Sequence, residues 1–145
     1  MESDFDRATR AASANEMPPP FRAALDEHAA LVGIEGPVLS TARAAAVTES
    51  TPHRRRLLRR QRPHVTWMVV CADVLAVVGD ASGAPVGSLY RLAELEAKPF
   101  SSPLVQDEGL EATALPVGGS ERVSVFLPLA PGPPRDAIAA ALALA

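Results

Sequence analysis

The sequence predicts an α+β fold: an antiparallel, partly open β-barrel with one helix near the N-terminus and a second helix closing the C-terminal end. Three observations carry this expectation. Residues Val65 to Ala97 form the one long stretch with few charges, dense branched apolar residues and clear turn signals. Apolar runs separated by Gly, Pro and Asp continue beyond it, so strands adjacent in sequence join through tight turns and pair antiparallel. Helical spacing occurs only at the flanks, which sets the helices at the ends of the sheet. Five or six strands of roughly 6–8 residues curl into a partly open barrel.

Each element has its own local reason. Residues 1–17 carry little apolar material and are followed by Pro18, Pro19 and Pro20, so residues 1–20 read as a disordered acidic, proline-rich tail. From Phe21 the pattern changes: Phe21, Leu25, His28 and Val32 recur at helical spacing, while Arg22, Asp26 and Glu27 fall elsewhere on the wheel. The prolines suit a helix start and Gly33 suits its exit. His28 reads as a histidine at the helix boundary. Gly36-Pro37 is a turn. Residues 38–50, VLSTARAAAVTES, stay open between helix and strand, because the alanines favour one and the β-branched residues the other.

Val65, Trp67, Val69 and Cys71 alternate with Thr66, Met68, Val70 and Ala72, apolar on nearly both faces. That pattern belongs to a strand covered on both sides. Val74 to Val78 is the next strand, and residues 79–85 are loop chemistry. Val86 to Ala97 reads as a further strand, and Leu110 to Val117 as another before the Gly118-Gly119 turn signal. Val123, Val125, Leu127 and Leu129 then share one face. Pro131 to Pro134 end the sheet, and residues 135–145 form a helix that docks through Ile138 and Leu142, spaced i, i+4.

At 145 residues the chain is one domain, with residues 21–145 as the folded unit. A domain of this size buries roughly two-thirds of its unfolded surface and needs neither metal nor disulfide to hold together. The one cysteine, Cys71, has no internal partner and sits in an apolar run, so it reads as a small buried hydrophobe. The N-terminus is acidic and polar, unlike a signal peptide. The longest apolar run, Val65 to Val78, is broken by Asp73 and is too short to span a bilayer. These features predict a soluble, cytoplasmic protein with no transmembrane segment. Thirteen of the fourteen basic residues are arginine, and with abundant Ala, Pro and Gly this suggests a high-GC, bacterial genome.

VLSTARAAA, then TWMVVCADVLAVVGDASGAPVGSLYRLAELEA, then RVSVFLPLAPGPPRDAIAAALALA follow an order that resembles the pleckstrin-homology-like (PH-like) domains of bacterial proteins. The first segment is similar to the family's first strand after a short helix and a turn. The second is similar to its central strands, and the third to its last strand and closing helix. The resemblance covers about residues 21–145. Where the family often has Thr-Asp and then Arg-Leu at the turn from the second to the third strand, this chain has Ala72-Asp73-Val74-Leu75, so only Asp73 and Leu75 match. The resemblance implies a barrel that binds lipid or peptide, or acts structurally.

Charge is the main functional clue. Arg54, Arg55, Arg56, Arg59, Arg60 and Arg62 lie within nine positions, bracketed by Pro52 and Pro63, while the rest of the chain has eight basic residues against seventeen acidic ones. The resemblance places this cluster, within residues 53–64, in the loop between the first two strands, where eukaryotic members commonly supply basic residues to phosphoinositide head groups. Arginine suits phosphate because its planar fork donates bidentate, charge-assisted hydrogen bonds. Leu57 and Leu58 sit in mid-cluster and make a poor interfacial anchor by themselves.

The expected role is therefore a non-enzymatic binding module, contacting a protein partner or an anionic membrane surface peripherally. The bland alternative is a solvated loop that pairs with the protein's own acidic surface. Nucleic acid ranks behind an anionic surface, because only Trp67 and Tyr90 offer stacking and Trp67 falls in the expected core. A small enzyme without a recognisable motif ranks last. His53 and His64 flank the cluster without a third ligand at useful spacing, so no metal and no cofactor is expected. Glu94 and Glu96 read as one solvent-facing edge of a strand. Ser101 and Ser102 lack an elbow motif or a base, and Gly79, Gly83 and Gly87 do not lead into a helix as a phosphate-cradling loop does.

Overall fold

The computed structural model describes residues 5–52, 62–104 and 107–143. Its strands are β1 (Phe5–Ala11), β2 (Ala44–Pro52), β3 (His64–Val70), β4 (Val74–Gly79), β5 (Val86–Arg91), β6 (Glu96–Pro99), β7 (Gly109–Ala114) and β8 (Val123–Pro128). Helix α1 (Pro19–Leu31) separates β1 from β2, and α2 (Pro133–Ala143) follows β8. All strand pairs are antiparallel, in a five-stranded sheet ordered β1-β2-β3-β4-β5 and a three-stranded sheet ordered β6-β7-β8. The class is α+β, as predicted. The two sheets are not closed into a barrel, which corrects that expectation.

The break lies after β5. The stretch expected to run as one strand from Val86 to Ala97 turns at Leu92–Leu95, where the Leu95 N–H donates to the Leu92 carbonyl at 3.0 Å and Glu94 takes φ 63°. The chain leaves the first sheet there, and β6 starts a new ladder on β7. A short bridge still ties the sheets. The predicted strand from Leu110 to Val117 pairs with β8 only as far as Ala114, and beyond it Tyr90 bridges Pro116. The Arg91 N–H donates to Leu115 and the Val117 N–H to Leu89, at 2.9 and 3.0 Å.

The five-stranded sheet is covered on both faces, as the double apolar pattern of β3 requires. On one face Trp67, Val69 and Cys71 pack with Val47, Ala76, Val78 and Leu89 under Phe21, Leu25 and Ala29 of α1. On the other, Met68 and Val70 join Ala46 and Leu75 beneath Leu110, Ala112 and Leu127 of the second sheet, with Ile138 and Leu142 of α2 at one end.

Helix α1 follows Pro18 at its N-cap, with prolines in its first turn, and ends where Gly33 takes φ +84° and the Ile34 N–H reaches back to the Ala29 carbonyl at 2.9 Å. His28 lies half-buried in its last turn. The helix crosses β5 where Gly87 has no side chain: a Cβ there would lie 2.9 Å from Leu25 Cα. The ambiguous residues 38–50 divide into a 3-10 turn, Val38–Thr41, and the strand β2. Its alanines take strand geometry because all three pair with β3 and Ala46 is buried between β1 and β3, and that packing outweighs helix propensity.

The residues read as a disordered tail are largely structured. β1 pairs with β2 over seven residues, from Phe5↔Pro52 to Ala11↔Ala46. Met17, with 3% of its surface exposed, belongs to the core under α1, so the packed unit begins well before Phe21. β1 forms despite its low apolar content because polar side chains attach it to the rest of the fold.

Candidate functional site

Strands β2 and β3 are the two arms of one antiparallel pair, with Ser50 opposite His64. The arginine-rich segment is what connects them. Arg54, Arg55, Arg56, Arg59 and Arg60 lie outside the described residues, as does His53. Arg62 is described and is exposed. Its guanidinium passes close to the β4–β5 turn, 3.4 Å from where a Cβ on Gly83 would stand. No carboxylate pairs with Arg62 among the described residues.

The base of this connection is tightly organised. The His64 ring lies edge-on to Phe5 with centroids 5.0 Å apart, and its Nδ1 lies 3.2 Å from the Arg62 carbonyl. Phe5 in turn stands opposite Pro52, at the other root of the segment. Asp80 Oδ1 accepts the Val65 N–H at 2.7 Å, and the Asp80 N–H donates to the Val65 carbonyl at 3.2 Å. The Arg62 end therefore leaves the sheet in a defined direction, beside the first residues of β1.

The same sheet end holds a polar cluster that the sequence reading missed. Arg7 donates from Nε and Nη2 to the two carboxylate oxygens of Asp107, at 3.0 and 2.9 Å, and from Nη1 to Ser50 Oγ at 2.6 Å. Its side chain is 6% exposed and lies between the rings of Phe5 and Phe126, 5.0 and 5.4 Å from their centroids. Two residues on, Thr9 Oγ1 meets Thr48 Oγ1 at 2.8 Å and accepts the Ala130 N–H at 2.8 Å. Arg7 and Thr9 thereby tie the first sheet to the loop before β7 and to the chain after β8. The alternation Phe5-x-Arg7-x-Thr9 was the available signal, since period two is strand spacing even when the inward residues are polar.

The remaining candidates stay apart. Cys71 is fully buried, and burial pushes its thiol up, partly offset by a hydrogen bond from the Thr41 side chain. A thiol held protonated in the core is a poor nucleophile. Glu94 sits in the turn after β5 and Glu96 opens β6, so they do not share one strand edge as expected. Ser102 Oγ accepts the Leu104 N–H at 3.2 Å, a loop-forming contact. Among the described residues no three His, Cys, Asp or Glu side chains gather as a metal site.

A cleft of about 190 Å³ between β6 and α2 has Leu95, Leu110 and Leu142 in its walls with Lys98, Arg135 and Asp136. A second, of about 250 Å³, lies by Ser13, Asn15 and Arg43. Neither gathers a nucleophile with a base. No described helix is long and apolar enough to cross a membrane. The chain matches no known protein family, no curated protein and no solved structure.

Proposed function

We propose that this protein is a non-enzymatic binding module that engages an anionic surface through Arg54, Arg55, Arg56, Arg59, Arg60 and Arg62. The observation that supports this most is the register of Ser50 opposite His64, which roots both ends of the connection that carries the six arginines at one end of one strand pair. The exposure of Arg62 and the acidic balance of the remaining chain support the same reading.

A basic residue near an anionic membrane contributes about 1 kcal/mol, so three or four arginines at the surface supply roughly 3–4 kcal/mol. Such binding is reversible and fades as salt screens it. The reading places the protein in the cytoplasm, peripheral at the membrane. It also takes the chain as a divergent PH-like domain, supported by the run of antiparallel strands that ends in a helix docked through Ile138 and Leu142.

Co-sedimentation with vesicles containing anionic lipid, at low and at high salt, tests the proposal. Binding at low salt that disappears when the six arginines become glutamate is the expected result. Absence of binding, or binding that survives the replacement, refutes it. A stoichiometric protein partner captured equally by the replaced protein would instead assign recognition to another surface.

A further inference from the structure

β1 is attached to the fold in an unusual way. None of its seven residues belongs to either hydrophobic core. Asp6, Ala8, Arg10 and Ala11 are exposed, and no described strand pairs with its outer edge. Its departure draws only Ala12 and Ala14, on the way to α1, from the edge of the apolar interior. What it cannot do cheaply is leave its groove empty. Thr48 and Ser50 are at most 1% exposed and would lose the Thr9 and Arg7 side chains that they bond. Asp107 would lose both guanidinium donors, and the Ala130 N–H its acceptor. Buried polar groups stripped of partners cost far more than the bonds contribute when made.

The groove thus selects its occupant. It requires a strand with an aromatic ring, a guanidinium and a hydroxyl at successive inward positions, which is the pattern Phe5, Arg7, Thr9. We infer that β1 exchanges between two copies of this chain, each copy's β1 filling the groove beside the other's β2. The hinge is the connection to α1, where a 3-10 turn at Ala14–Glu16 is closed by Ser13 and Glu16. In the closed monomer this turn folds β1 back on its own sheet. In the exchanged dimer it straightens, and every groove contact is remade between copies.

Because groove contacts are the same in both states, the hinge sets the equilibrium and the Arg7–Asp107 pair sets the rate. The test uses the full chain with Cys71→Ala, one copy carrying Thr9→Cys and the other Thr48→Cys. The two are mixed at high concentration and oxidised with glutathione disulfide. A cross-chain disulfide is expected, because Thr9 and Thr48 are register partners with oxygens 2.8 Å apart.

The wild-type chain, passed through mild urea and returned to buffer, should show a dimer fraction that rises with concentration in light scattering. Deleting residues 13–16 should make the dimer predominant. Asp107→Asn should speed exchange by roughly tenfold without changing the final dimer fraction. A wild-type chain that stays monomeric at every concentration overturns the inference. So does a dimer that forms without the cross-chain bond while a single chain carrying both cysteines closes its internal disulfide.

Discussion

Arg7 and Asp107 lie 100 residues apart in sequence and meet in a bidentate ion pair that ties the first strand of the large sheet to the loop leading into the small one. Both side chains are largely withdrawn from water, at 6% and 19% exposure. The guanidinium also caps Ser50 and is enclosed by two phenylalanine rings. An arginine in that setting is held by geometry as much as by charge, since lysine cannot reproduce the planar fork.

Breaking this pair from one side should be costly. Arg7→Met and Asp107→Ala are each expected to destabilise the protein by about 3 kcal/mol, because each leaves a poorly solvated charge behind. Urea denaturation measures the change. Arg7→Lys should recover only part of it.

Gly87 is a contact point between α1 and β5. Gly87→Val is expected to cost about 1–3 kcal/mol, because its Cβ would press on Leu25 Cα, and backbone cannot rotate away as a side chain does. The same substitution at Gly83, which faces only the Arg62 side chain, tests a different quantity: its φ of +111° makes any side chain strained whatever the space. Thermal melts of the two variants separate the effects of crowding and of backbone strain.

Trp67 reports on one core and not the other. It shares the α1-side core with Leu25, whereas Leu142 lies in the core beneath the second sheet. Leu25→Ala and Leu142→Ala should each cost about 2–5 kcal/mol. In the folded state, the first should alter the Trp67 emission spectrum and the second should leave it near wild type.

Cys71 makes the stability dependent on pH at the alkaline end. Burial raises its folded pKa above that of the unfolded chain, so the folded state keeps its proton longer. The corresponding stability is fully present below the unfolded thiol pKa, about 8.5, and is lost as pH rises through the folded value. Denaturation midpoints should therefore fall above about pH 9, and Cys71→Ala should flatten that limb. Thiol-specific reagents should label the native protein slowly and the unfolded protein at once.

How much of this could be read in advance depends on the range of the interaction. Val65 to Cys71 announced a strand buried on both faces, because apolar residues at both parities have no other use in a strand. Pro18 to Pro20 and Gly33 bounded α1, since their backbone constraints act locally. The candidate site was visible as charge density alone. What the sequence could not convey was the base that Phe5, His64 and Asp80 build beneath that segment, because those residues meet only through pairing of β1, β3 and the turn after β4.

By itself, then, the sequence determined the α+β class, the twice-covered central strand, both helices and the clustering of six arginines between Pro52 and Pro63. Each of these follows from spacing or composition within a few residues. Tertiary structure alone decided that residues 5–11 form a strand, that the chain divides into two sheets at Glu94 rather than closing a barrel, and that Arg7 finds Asp107. The division at Glu94 rests on a tight turn inside a stretch that reads as one strand, whereas the first and third outcomes share a physical reason. A polar strand becomes stable only when distant partners satisfy its arginine and threonine, and local periodicity carries no record of partners 100 residues away.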